Sequence, residues 1–134
     1  MKVFVDSNIP MYVAGRDHPL REPARRFLER ARSGDVAACT STEVLQEILY
    51  RYVGLRRLDA GRQVYEDFAE LCPVVFPVTL ADTDRAKEFV CSGAGIGIRD
   101  AIHAAVMVNN GVRHIASFDA GFERVRQIER FPLT

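Results

Sequence analysis

Residues 2–12, KVFVDSNIPMY, decide the fold class. The first four, KVFV, are strand formers at three positions and predict a strand over 2–5. Asp6 closes it. Ser7 and Asn8 can cap a helix and Pro10 suits an early helical position, which predicts a helix over 9–14. Outward from this unit the alternation continues. Strand-like runs stand at 36–39 (VAAC), 74–78 (VVFPV, weakened by Pro77) and 113–118 (RHIASF), with an edge strand available at 127–131. Helical patterns cover 20–33, 41–53, 60–71, 80–91 and 98–109. Gly15, Gly34 and Gly111 stand where a left-handed residue ends a helix, and Thr40-Ser41-Thr42-Glu43 has the spacing of a capping box. The alternation implies an α/β layered fold around a mostly parallel sheet.

The chain has 134 residues, the size of a single domain able to bury a real core, so residues 1–134 are expected to form one unit. Hydrophobic residues at 48% and charged residues at 27% exclude a disordered chain. The longest unbroken apolar run is Ala104–Val108, too short to cross a bilayer. The start, MKVFVD, enters a strand directly and leaves no room for a signal peptide, so a cytoplasmic protein is expected. Cys39, Cys72 and Cys91 have no metal-ligand spacing and read as buried reduced thiols. Eighteen basic residues balance eighteen acidic ones, and all the basic ones except Lys2 and Lys87 are arginine. Zero net charge argues against indiscriminate coating of nucleic acid, while arginine suits local phosphate contact. Arg51, Arg56, Arg57 and Arg62 offer such a surface, or a solvated helix face.

Parallel sheets place their functional residues beyond the carboxyl ends of the strands. Asp6 ends the first strand, in FVDSNIPMY (4–12), and Asp119 ends the fourth, in HIASFDAGF (114–122). Asp100, in IRDAIHAAV (98–106), opens the helix that leads into the fourth strand, so the three share one sheet edge. Glu47, in TSTEVLQEILYRY (40–52), is the fourth candidate, although it lies ~9 Å along its helix, which must lean across the edge. Two charges ~4 Å apart repel by about 4 kcal/mol at an effective dielectric of ~20, so such a cluster calls for protons or a cation. Oxygen ligands without cysteine or histidine select Mg²⁺ or Mn²⁺, and the implied chemistry is metal-assisted attack of water on a phosphodiester. Taken singly, Asp6 and Asp119 also read as caps or turn residues, and Asp100 as a complement to its helix dipole. Glu43 has a capping role with Thr40, which leaves Glu47 as the less explained glutamate. Ser92–Gly97 reads as a flexible lead-in to the Asp100 helix, and His103 as a hydrogen-bonded core or rim histidine.

Together these residues resemble the PIN domain family. FVDSNIPMY is similar to that family's opening, Glu47 in EVLQEIL to its helix glutamate, Asp100 in RDAIHAAV to its third acid and Asp119 in ASFDAGFERV to its fourth. The likeness covers essentially the whole chain, and among small members it points to VapC-type toxins. It implies a three-layer fold with a parallel sheet of four to five strands, and an Mg²⁺- or Mn²⁺-dependent endoribonuclease. It implies catalytic and metal-holding roles for Asp6, Glu47, Asp100 and Asp119, with Asn8 and Ser117 as polar neighbours of the metal site. It also implies an RNA substrate, a homodimer, and a cognate antitoxin of a type II toxin–antitoxin pair whose tail blocks the acidic cleft. The family often has a short apolar run before the glutamate where this chain has Glu43 and Gln46, so either Glu43 or Glu47 can be the ligand. A haloacid-dehalogenase phosphatase needs a second aspartate where Asn8 stands, and a receiver domain needs a lysine later than Lys87. A catalytically silent RNA- or protein-binding module on the same fold remains the alternative.

Overall fold

Val3, Phe4 and Val5 are wholly buried, so both faces of the first strand are covered. In the computed structural model, which describes residues 1–134, this strand, β1 (Lys2–Val5), is the centre of a five-stranded sheet. The chain continues through α1 (Asn8–Ala14), α2 (Arg21–Arg32), β2 (Ala37–Ser41), α3 (Thr42–Gly54) and α4 (Leu58–Leu71). It then forms β3 (Val74–Phe76), α5 (Leu80–Cys91), α6 (Ile98–Asn109), β4 (His114–Ala116), a 3-10 turn (Ala120–Arg124) and β5 (Glu129–Arg130).

The strand order is β3-β2-β1-β4-β5, and every pair is parallel. Phe4 pairs with Cys39 on one side and Ile115 on the other. Each wholly buried Val or Phe here contributes ~1.5–3 kcal/mol through removal from water. The chain leaves β1 in one direction for β2 and returns to its other side for β4. That reversal opens a crevice at the carboxyl ends of β1 and β4, where such sheets bind ligands. The backbone N–H of Asp6 extends the pairing by donating to the Ala116 carbonyl at 3.0 Å, which seats Asp6 in the crevice.

Helices pack in sequential pairs: α1 on α2, α3 on α4, and α5 on α6. At the α3–α4 contact a Cβ on Gly61 would stand 2.5 Å from the Tyr52 Cβ, so only glycine lets the helices approach this closely.

Several local expectations are corrected. Ser41, not Thr40, caps α3: its hydroxyl accepts from the Val44 N–H, while Thr40 lies in β2 and donates to the Val5 carbonyl at 3.0 Å. Val44 therefore occupies the third helical position, where a reciprocal cap needs Glu or Gln, and Glu43 has no capping partner. The capping box that does form is Thr79 with Asp82, at the start of α5. Gly34 and Gly111 are left-handed as expected, but Gly15 is not, with φ −87°. Cys39 and Cys72 are buried free thiols, with burial raising them to about 11 and about 12, whereas Cys91 is exposed at the end of α5. The segment before α6 is tied down, because Arg124 of the 3-10 turn donates to the Gly95 carbonyl at 2.6 Å.

Candidate active site

Four elements deliver acids to the crevice: the turn after β1 gives Asp6, α3 gives Glu47, the first turn of α6 gives Asp100, and the cap of the 3-10 turn gives Asp119. Asp6 is the most constrained. Its Oδ2 accepts from the Ser117 hydroxyl at 2.6 Å and from Asn8 Nδ2 at 3.4 Å, and its Oδ1 accepts from the Ser7 N–H at 2.8 Å. Ser117 also accepts from Asn8 Nδ2 at 3.2 Å and from the Asp119 N–H at 3.0 Å. One buried hydroxyl thus locks the loop after β4 to the loop after β1. Asn8 and Ser117, expected as polar neighbours, both touch Asp6.

The helix carrying Glu47 leans as its distance along α3 required. Ligand atoms of Asp6, Glu47 and His103 lie within 4.8 Å of one another. His103 is wholly buried; its Nε2 lies 2.7 Å from Glu47 Oε1 and 3.8 Å from Asp6 Oδ1. The expectation of a hydrogen-bonded core histidine holds, but its partner was not legible: the pair is 56 positions apart. The available signal was that His103 follows Asp100 by one helical turn and so shares its face.

Asp100 and Asp119 form the second half of the cluster. Burial pushes the Asp100 carboxyl up to about 7, reinforced by a hydrogen bond with Asp119 and by the charges of Asp119 and Asp6, while His103 opposes the rise. Burial also raises Asp6, with Glu47 adding to it and His103, Ser117 and Ser7 opposing it. Burial pulls His103 down, but its hydrogen bond to Glu47 and the charges of Asp6, Glu47 and Asp100 outweigh this and leave it raised. Burial is the leading cause for the two aspartates, with neighbouring carboxylates adding to it, whereas for His103 the carboxylates outweigh burial. Asp119 Oδ1 accepts from the Gly121 N–H at 2.8 Å; a Cβ on Gly121 would meet that oxygen at 3.1 Å and Asp100 Oδ2 at 3.5 Å.

Glu43 sits one turn before Glu47 and is raised by burial and by the Glu47 charge, with His103 and Arg99 opposing. It borders the site, whereas Glu47 contacts its centre. The carboxylate oxygens here are hard donors that fit a divalent cation of the Mg²⁺ or Mn²⁺ type, with the His103 imidazole engaged by Glu47 beside them. The arginines of 51–62 lie exposed on α3, α4 and their connection, and Arg62 is paired with Glu66.

Comparison with known proteins agrees with this geometry. The sequence profile of the PIN domain family matches residues 3–128. Ribonuclease VapC13 of Mycobacterium tuberculosis is 38% identical over 128 residues, spanning 96% of this chain and 98% of that one. Among solved structures, VapC20 of Mycobacterium tuberculosis, a sarcin-ricin loop cleaving toxin, superposes with a TM-score of 0.74 at 20% identity, covering 92% of this chain and 95% of the other. VapBC2 from Rickettsia felis, bound to a promoter DNA fragment, gives 0.75 at 18% identity with 98% of both chains covered. With acids at the carboxyl ends of β1 and β4 and a family profile spanning nearly its whole length, the chain belongs to the PIN domain family.

Proposed function

We propose that this protein is a VapC-type endoribonuclease that hydrolyses RNA phosphodiester bonds with Mg²⁺ or Mn²⁺ held by Asp6, Glu47, Asp100 and Asp119. The observation that carries this reading is the meeting of Asp6 and Glu47 around His103 beside Asp100 and Asp119, with Asp100 raised to about 7 by burial and by its Asp119 and Asp6 neighbours. Relatives named VapC ribonuclease at 38% identity support it. Asp6 is held rigidly by Ser117, Asn8 and the Ser7 N–H, so its carboxylate is presented without side-chain reordering. Asp119 lies close enough to Asp100 to raise its carboxyl, and the two would hold the ion together with Asp6 and Glu47. Bound there, the ion would supply Lewis-acid polarisation of a phosphodiester and would lower the pKa of an attacking water. The acids also repel RNA phosphates unless neutralised, which ties substrate binding to the cation.

The same reading makes residues 1–134 one nuclease domain, working in the cytoplasm as a homodimer that a cognate antitoxin restrains by covering the acidic crevice. The fold likeness to VapBC2, solved on promoter DNA, supports a protein partner. No helix is long and apolar enough to cross a membrane. Purified protein incubated with single-stranded or looped RNA tests the enzyme directly: cleavage is expected with Mg²⁺ or Mn²⁺ and is expected to stop in excess EDTA. Undiminished cleavage in EDTA overturns the metal assignment. Metal-replete protein that binds RNA without cutting it supports the silent module instead.

A further inference from the structure

The carboxylates of the crevice are held unequally. Asp6 receives three donors and Asp119 receives the Gly121 N–H, all from neighbouring loops. Glu47, whose side chain has one more rotatable bond than the aspartates, has a single hydrogen-bond partner, His103 Nε2 at 2.7 Å. With Glu47 as a carboxylate, which only accepts, Nε2–H is the donor of this bond. The histidine is itself immobilised, with its ring 5.8 Å from that of Phe4 on β1 and 6.4 Å from that of Phe122 in the 3-10 turn.

His103 is a poor choice for packing alone. Its Nδ1 is the one buried side-chain polar atom with no hydrogen-bond partner. An unsatisfied buried polar atom is unfavourable, and an apolar side chain of similar volume fills such a site without that penalty. The remaining asset of the imidazole is the bond to Glu47. It bridges α6, three residues after Asp100, to α3, so one helix carries both an acid of the site and the clamp on another.

We propose that His103 is a positioning residue, whose Nε2–H holds one oxygen of Glu47 so that the carboxylate stays beside Asp6 with its other oxygen free for the divalent cation. The inference rests on the metal-dependent reading of the site, and it is independent of the charge of His103, since neutral and protonated imidazole can both offer this donor.

The test uses the intact protein and Mn²⁺ as the probe, with the free ion counted by electron paramagnetic resonance. His103→Leu is expected to weaken Mn²⁺ binding about tenfold to a hundredfold, the usual effect of losing a group that orients a ligand, whereas His103→Gln, which can keep a donor near Nε2, stays within about threefold of wild type. In the Glu47→Gln background, His103→Leu is expected to change binding by less than about twofold further, because its route of action is gone. Equal affinity of wild type and folded His103→Leu overturns the proposal while leaving the metal reading intact. So does a loss that persists in full without Glu47, or a Gln variant as weak as the Leu variant. A wild type that takes up no Mn²⁺ overturns the metal reading and this proposal with it. Should His103→Leu not fold, the wild-type ring decides: a long-range ¹H–¹⁵N spectrum of the metal-free protein is expected to show a proton on Nε2, shifted by Glu47→Gln. Its absence removes the donor and the proposal.

Discussion

Helix α2 and the crevice between β1 and β4 use charge in opposite ways. On α2, Arg25 pairs with Glu22 and Glu29, Arg26 reaches Glu22 at 3.6 Å, and Arg30 meets Asp35 at 2.5 Å. All are exposed and a turn or so apart, and the hydrogen bond from Arg25 holds the Glu22 carboxyl below its usual range. In the crevice, acids from four elements face one another with a single imidazole among them, and Asp6 and Asp100 move the other way. The α2 pairs suit a native state that needs nothing added. The crevice instead gathers like charges from distant parts of the chain, and the distinction between local pairing and long-range convergence separates a solvated surface from a candidate site.

The largest break in this comparison is catalytic. Asp6→Ala or Asp100→Asn is expected to lower the rate of RNA cleavage by more than about a hundredfold, beyond the usual loss for a group that merely supports a metal ligand. Arg25→Ala on α2 is expected to leave the rate unchanged and the stability little altered, because exposed ion pairs contribute little. Rates from a fluorescent RNA and denaturant melts of the same preparations check both halves.

Gly121→Ala sharpens it. The new methyl group presses on Asp119 Oδ1 and comes into van der Waals contact with Asp100 Oδ2, so cleavage is expected to fall about tenfold with little change in melting temperature. Unchanged kinetics would mean that the two acids need not keep their present spacing.

The pH dependence of the metal-free protein tests the opposite signs directly. Asp6, Asp100, Glu43 and His103 are all raised in the folded state, so the native protein binds more protons than the unfolded chain. For Asp100 the linked stability is fully present below its unfolded value near 3.8 and is lost as pH rises through about 7. Glu22 and Glu129, lowered by hydrogen bonds from Arg25 and Arg113, act oppositely, giving stability that is lost as pH falls below about 4.5. Urea melts in EDTA are expected to show stability declining from about pH 5 to pH 8, with a shallower decline in Asp100→Asn. A rise over that interval contradicts the crevice electrostatics.

The smallest effect concerns Glu43. Without a capping bond, and raised by burial and by Glu47, it adds repulsion without structural return. Glu43→Gln is therefore expected to leave the melting temperature unchanged or slightly higher and to keep cleavage largely intact. If it destroys cleavage while Glu47→Gln does not, the glutamate assignment is reversed.

How much of this was readable depends on distance along the chain. The acids after β1 and β4 announce themselves because a strand and its exit turn are adjacent in sequence, and the parallel topology then brings the edges together. The place of Glu47 depended on the tilt of α3, which no local pattern encodes. The partner of His103 depended on how α6 packs beside α3. The cap of α3 was misplaced by one residue because Thr40 and Glu43 have the spacing of a capping box, which Ser41 and Val44 lack. The extra strand residue goes to Thr40, whose hydroxyl is claimed by β1. Cys91 was expected to be buried on the ground of residue type, but it falls on the exposed end of α5.

The central claim is that the crevice holds like charges at the expense of stability until a cation arrives. Denaturant melts of wild type and Asp100→Asn, each in EDTA and in Mg²⁺, test it most directly. Asp100→Asn is expected to be as stable as wild type or more so in EDTA, and Mg²⁺ is expected to stabilise wild type much more than the variant, since only the native site binds it. A variant that is less stable in EDTA and responds to Mg²⁺ as wild type does would make Asp100 an ordinary helix-terminal acid, with a loss of about 0.3–1 kcal/mol, and would contradict that claim.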